Sequence, residues 1–129
     1  MLRGWDQHKG VMKILLADDT PAIRNFISTV LRQMGYRDIV EAEDGGQAWA
    51  TLGSTKIDLL LTDWNMPVMN GLELLTKVRH QPGYEHLPVL LFTGRNTKDD
   101  VVNAARSGAS GYLIKPFTAQ QFMGKVREL

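Results

Sequence analysis

The sequence contains no cysteine, which excludes disulfide bonds, thiolate catalysis and cysteine metal sites. It has no apolar run near the roughly 18 residues of a membrane span, and its amino end lacks the apolar centre of a signal peptide. It also has no run of like charge, and 15 basic against 14 acidic residues give a formal net charge of +1. These absences predict a cytoplasmic protein that neither inserts into a membrane nor binds nucleic acid.

A chain of 129 residues has the size of one domain. Its content of 43% hydrophobic and 22% charged residues is ordinary for a globular protein. Residues 1–11 contain glycines and mixed charges without periodicity, so we expect a flexible leader there. Residues 12–129 are expected to form a single domain.

The remainder of the sequence alternates apolar runs with amphipathic segments. Aliphatic runs predict strands over residues 12–17, 36–42, 57–61, 88–92 and 111–114. Apolar residues spaced three and four apart predict a helix after each strand, beginning near Thr20, Asp44, Asn70, Thr97 and Thr118. Five strands alternating with five helices are typical of an α/β fold with a mainly parallel sheet and helices on both faces.

Polar side chains stand at the carboxyl ends of the predicted strands. Asp18 and Asp19 follow the first strand, Asp63 the third, Thr93 the fourth and Lys115 the fifth. These ends meet at one edge of a parallel sheet. Three close carboxylates need a cation, and an all-oxygen ligand set suits Mg²⁺ or another hard divalent ion.

A lysine and a threonine beside such a cation would bind a tetrahedral anion. Asp63 is then either a metal ligand or the nucleophile of a phosphoryl transfer. Each residue alone is more often a helix cap, a turn residue or a solvated charge. Their joint occurrence at successive strand ends favours the functional interpretation.

The same segments resemble the receiver domain of two-component response regulators, and among them the chemotaxis regulators in particular. The matching motifs are Asp18-Asp19, EAEDG (residues 41–45), DLLLTDWNMPVMNGLELL (58–75), LFTG (91–94) and GASGYLIKPF (108–117). The resemblance covers residues 13–129 with all motifs in order. It implies a flavodoxin-like, doubly wound sheet of five parallel strands in the order 2-1-3-4-5, with five helices.

The resemblance also implies residue roles, with Asp63 as the phosphoacceptor. Mg²⁺ would be bound directly by Asp19, Asp63 and the backbone carbonyl of Asn65, and by Asp18 largely through water. The protein would thus be a phosphoacceptor switch rather than an enzyme with a separate substrate.

The remaining implied roles belong to the switch. Lys115 would contact the phosphoryl group and precede Pro116 in a cis peptide bond. Thr93 would move its hydroxyl toward the phosphoryl group, and Tyr112 would then turn inward. Gly94 stands where many family members have alanine, and Arg95 lies near the site where closely related chemotaxis regulators carry an acidic residue. The phosphoryl lifetime therefore does not follow from the resemblance.

The implied partners are a histidine kinase as phosphodonor and a target on the surface of the fourth helix, fifth strand and fifth helix. For a chemotaxis regulator, that target resembles the flagellar motor switch. An alternative is a receiver domain cut from a larger signalling protein. A Mg²⁺-dependent phosphatase of the haloacid dehalogenase type is less favoured because Asp18-Asp19-Thr20 lacks its D-x-D motif. A binding module that is never phosphorylated would not need all five polar residues.

Overall fold

The computed structural model of the protein describes residues 8–129, so residues 1–7 of the expected leader lie outside the described residues. In this part of the chain, five strands alternate with five helices. The strands are β1 (Lys13–Ala17), β2 (Asp38–Ala42), β3 (Leu59–Asp63), β4 (Val89–Thr93) and β5 (Gly111–Ile114). The helices are α1 (Pro21–Gln33), α2 (Gly45–Ser54), α3 (Gly71–His80), α4 (Lys98–Arg106) and α5 (Ala119–Glu128).

All neighbouring strands pair in parallel, in the order β2-β1-β3-β4-β5. This confirms the α/β class and the 2-1-3-4-5 order that the resemblance implied. The third strand was predicted to stop before Thr62, and this boundary is wrong. Thr62 pairs with Ala17 and Leu91, and Asp63 pairs with Phe92, so the ladder holds both polar residues inside β3.

The two faces of the sheet bury separate apolar layers. On one face, Leu16, Leu61 and Phe92 are buried together with Leu31 of α1 and Phe122 of α5. On the other, a second layer joins alternate strand residues to α2 and α3, through Leu15, Leu60, Ala48, Leu74 and Val78. Every residue of β3 and β4 is buried, as expected for central parallel strands covered on both faces.

At most of the predicted helix starts, a side chain caps the first turn. Asn70 with Glu73 and Thr118 with Gln121 form complete capping boxes. The Asp44 side chain accepts a hydrogen bond from the Gln47 amide. Across residues 8–129, none of these helices has the length and apolarity needed to cross a membrane.

Helix α4 buries little of its apolar surface. Of its small apolar residues Val101, Val102, Ala104 and Ala105, only Ala104 is buried. It contacts a small cluster with Trp64 and Leu91 at the edge of the main core. Val101 remains 37% exposed, so α4 is held by few apolar contacts.

Residues 8–11 precede β1 and contact the domain. The Lys9 ammonium donates a hydrogen bond to the Met34 carbonyl at 3.0 Å, just past the end of α1. Gly35 follows with a φ of +102°, which ends the helix in a conformation that favours glycine.

Candidate functional site

Three carboxylates meet at the carboxyl edge of the sheet. Asp63 is the last residue of β3, and Asp18 and Asp19 directly follow β1. One ligand oxygen from each lies within 4.8 Å of the others. Asp18 is fully buried and Asp63 is 5% exposed, while Asp19 faces solvent. An all-oxygen set of this kind, with an exposed side, fits Mg²⁺, which retains several waters when bound.

The buried Asp18 is held by the Thr20 amide and by Arg24. The Arg24 guanidinium donates to the Asp18 carbonyl at 2.7 Å and to the Glu41 carboxylate at 3.0 Å. The Thr20 amide donates to the Asp18 carboxylate at 2.7 Å. Arg24 was not singled out from the sequence, although a charged residue between Ile23 and Ile27 of α1 was an available signal. It fixes the loop that carries two of the three carboxylates.

Lys115 closes the cluster from β5. Its ammonium lies 3.2 Å from a carboxylate oxygen of Asp18 and 3.3 Å from one of Asp63. The following bond to Pro116 is cis. The ammonium thus neutralises part of the acidic charge at a point where it can also reach an anion bound to Asp63.

Burial dominates the protonation of Asp63. Removal from water raises the pKa of its carboxyl above the ordinary value, and the negative charge of Asp18 adds to this. The Lys115 ammonium and the Asn65 amide oppose the shift without cancelling it. The ionised site is therefore short of positive charge, which a bound divalent cation would supply.

The hydroxyls of Thr93 and Tyr112 lie at the neighbouring strand ends. Thr93 ends β4 and is fully buried, and its oxygen accepts a hydrogen bond from the Arg95 amide at 3.2 Å. The Tyr112 hydroxyl donates to the Arg95 carbonyl at 2.7 Å. Its ring meets that of Trp64 edge to face at 6.4 Å. Burial and the Asp100 charge raise the pKa of Tyr112, so its hydroxyl stays a donor.

Helix α3 begins in direct contact with the backbone of the acidic strand. A Cβ on Gly71 would lie 2.1 Å from the Asp63 carbonyl oxygen, closer than any real side chain approaches. The Gly71 amide donates to the Trp64 carbonyl at 2.7 Å. Glycine is thus required here for close approach.

The predicted site residues Asp18, Asp19, Asp63, Thr93 and Lys115 all lie at one edge of a sheet in the order 2-1-3-4-5. A small parallel α/β domain with an acidic pocket at this edge of the sheet is a recognisable class of protein. The sequence pattern described as response regulator receiver domain matches residues 14–127. The chain belongs to this family, whose members act as switches and bind Mg²⁺ in the acidic pocket.

Relatives and solved structures share nearly the full length of the chain. It is 43% identical over 118 residues to chemotaxis protein CheY of Pseudomonas aeruginosa, covering 92% of this chain and 95% of that protein. It is 40% identical over 116 residues to chemotaxis protein CheY1 of Helicobacter pylori, covering 89% and 94%. Among solved structures, the chemotaxis response regulator CheY4 of Vibrio cholerae matches with a TM-score of 0.85 and 34% identity, covering 92% of this chain and 98% of that one.

One further structural neighbour contains a metal. The receiver domain of a sensor histidine kinase from Pseudomonas aeruginosa matches with a TM-score of 0.78 and 29% identity, covering 88% of this chain and 92% of that one. In that structure a magnesium ion is coordinated in the active site cleft.

Proposed function

We propose that Asp63 accepts a phosphoryl group from a histidine kinase in a Mg²⁺-dependent reaction. The observation that carries this is the placement of the Lys115 ammonium, 3.2 Å and 3.3 Å from oxygens of Asp18 and Asp63, beside three carboxylates within 4.8 Å. A carboxylate oxygen of Asp63 would attack phosphorus as the bond to the kinase imidazole nitrogen breaks. With its other ring nitrogen protonated, the kinase histidine keeps the electron pair of the broken bond and leaves as neutral imidazole.

The chain's own residues position and neutralise the phosphoryl group. Asp19, Asp63 and the Asn65 carbonyl would hold Mg²⁺ directly, and Asp18 would do so through water. When bound, the metal neutralises negative charge on the transferring oxygens. Lys115 would contact another phosphoryl oxygen. Because Asp63 needs no proton relay, positioning and charge supply the catalysis.

We further propose that phosphorylation changes the surface formed by α4, β5 and α5. Thr93 would move its hydroxyl toward the phosphoryl group, and Tyr112 would turn into the space beside it. That surface carries a groove of about 670 Å³, lined on its apolar side by Val101, Tyr112 and Ile114. By likeness to the chemotaxis relatives, the target is a component of the flagellar motor switch, reached from the cytoplasm.

In this proposal, residues 12–129 form a single receiver domain and residues 1–11 a leader. A second candidate is a receiver domain that belongs to a larger sensor kinase. The similarity to the receiver domain of a sensor histidine kinase favours it. Both candidates share the phosphorylation of Asp63 and differ in the protein or domain on which the phosphorylated domain acts.

The test is intact mass after incubation with acetyl phosphate or phosphoramidate, with and without Mg²⁺. Wild type is compared with Asp63→Asn and with a matched control, Asp38→Asn. Asp38 forms a surface ion pair with Lys13 at the opposite edge of the sheet. We expect one added phosphoryl group in wild type and in D38N, and none in D63N or without Mg²⁺. A gain that persists in D63N, or no gain from either donor in folded wild type, contradicts the proposal.

A further inference from the structure

Arg95 lies at the mouth of the acidic pocket and ties two loops together. Its guanidinium carbon stacks 4.8 Å from the centre of the buried Trp64 ring. Its Nε atom lies 3.4 Å from the Asn65 side-chain oxygen, and its Nη1 atom lies 3.4 Å from the Asp100 carboxylate. The guanidinium therefore joins the β3–α3 loop to the first turn of α4.

The backbone of the same residue contacts both proposed switch hydroxyls. Its amide donates to Thr93 Oγ1 at 3.2 Å, and its carbonyl accepts from the Tyr112 hydroxyl at 2.7 Å. Any displacement of Arg95 is therefore transmitted to Thr93 and Tyr112 through direct hydrogen bonds.

Asn65 places the guanidinium next to the phosphoacceptor. The Asn65 amide lies 3.4 Å from a carboxylate oxygen of Asp63, while its side chain contacts Arg95. One residue thus separates the guanidinium from the atom that would carry the phosphoryl group.

We propose that Arg95 exchanges the carboxylate of Asp100 for the phosphoryl group on Asp63, and thereby releases the first turn of α4 on phosphorylation. This inference rests on the proposed phosphorylation of Asp63. It assigns to Arg95 a phosphoryl-binding role that also triggers the output surface.

The exchange is favoured by charge and by geometry. The Arg95–Asp100 pair is 3.4 Å long, with side chains 44% and 20% exposed, and such surface pairs contribute little. A phosphoryl group brings about −1.5 to −2 charges and three acceptor oxygens. A guanidinium binds two such oxygens at once, which a single long contact to Asp100 does not offer.

Release of Asp100 loosens a helix that is already weakly held. Ala104 is the one buried residue of α4. At its amino end, the Asp100 amide donates to Thr97 Oγ1 and the Val101 amide to the Thr97 carbonyl, each at 3.1 Å, and both bonds lie within the start of the helix itself. Loss of the ion pair therefore affects the helix that forms one wall of the proposed output groove.

The experiment measures binding of beryllium fluoride, which forms a tetrahedral phosphoryl analogue on an aspartate carboxylate, in the presence of Mg²⁺. Trp5→Phe and Trp49→Phe in the full chain leave Trp64 as the fluorescent reporter of the guanidinium stacked on it. The variants are R95Q, D100N and their combination. R106Q is the matched control, because it removes the same charge from an exposed position at the other end of α4.

We expect R95Q to weaken apparent affinity for the analogue about tenfold, since it removes a charge-assisted contact. D100N should strengthen it about two- to threefold, because it removes the competing carboxylate. D100N should have no further effect once Arg95 is Gln, and R106Q should match the parent. Hydrogen exchange of the amides in residues 98–101 should become faster when the analogue binds to the parent protein.

An R95Q affinity equal to that of R106Q would overturn the inference, as would a D100N effect of equal size with and without Arg95. In either case, analogue binding that is lost in D63N would still uphold the proposed function. Absence of any binding that depends on Asp63 would instead overturn the proposed function, and this inference with it.

Discussion

Val68 offers a test of the backbone geometry beside the site, through the substitution Val68→Gly. Val68 has a φ of +71°, which branched side chains avoid. The Met69 amide donates to the Pro67 carbonyl at 2.8 Å across it, which closes a γ-turn with the strained sign of φ. The Val68 side chain is 83% exposed, so burial does not offset this strain.

The magnitude follows from two opposing terms. A positive φ costs an L-residue roughly 1–2 kcal/mol. Glycine adopts it freely but gives the unfolded chain about 0.5–1 kcal/mol of extra conformational entropy. The variant should therefore be more stable by about 0.5–1 kcal/mol, which for a domain of this size raises the melting temperature by about 2–5 °C.

The assay is thermal and urea unfolding of V68G beside Val11→Gly. Val11 is 75% exposed and has no positive φ. V11G therefore adds conformational entropy to the unfolded chain without relieving any strain in the folded one. We expect V68G to be more stable than wild type and V11G to be equal or less stable. Equal losses of stability in both variants would refute the reasoning.

Three further changes act closer to the acidic pocket. Gly71→Ala should destabilise by about 3 kcal/mol in urea unfolding, because its Cβ would meet the Asp63 carbonyl at 2.1 Å. Arg24→Gln should weaken Mg²⁺ binding about tenfold in a fluorescence titration, because it frees the Asp18 carbonyl from a 2.7 Å hydrogen bond. Asp63→Asn should raise stability at neutral pH without metal, measured by urea unfolding in EDTA. Since the native pKa of Asp63 is raised, the native protein binds this proton more tightly than the unfolded chain, so wild-type stability falls as pH rises through that pKa. The advantage of D63N should thus vanish as the pH is lowered to the ordinary value of 3.8; an advantage that persists there contradicts the reasoning.

The alternation of strands and helices could be predicted because each signal is local. Aliphatic runs are required by strands covered on both faces, and caps such as Asn70 with Glu73 need residues only three positions apart. The end of β3 was missed because the pairing of Asp63 with Phe92 is long-range. Neither Thr62 nor Asp63 has the apolar side chain that identified the rest of the strand.

The acidic cluster and Lys115 could be predicted because topology alone brings the carboxyl ends of parallel strands together. The residues that support this cluster could not be predicted from the sequence. Arg24 contacts the Asp18 carbonyl and Glu41 across separations of 6 and 17 residues, and no local pattern encodes such contacts. The stacking of Arg95 on Trp64 likewise depends on how two loops fold over each other.

Anchoring differs between the two ends of helix α4. At its carboxyl end, the Arg79 guanidinium donates to the Gly108 carbonyl at 3.0 Å and 2.8 Å, and a Cβ on Gly108 would lie 2.9 Å from it. At its amino end, the tie to the acidic pocket is the exposed ion pair of Arg95 and Asp100. A change of charge at Asp63 would therefore move the amino end of α4 about a fixed carboxyl end. Because the Tyr112 hydroxyl donates to the Arg95 carbonyl, the proposed motion would also act on β5.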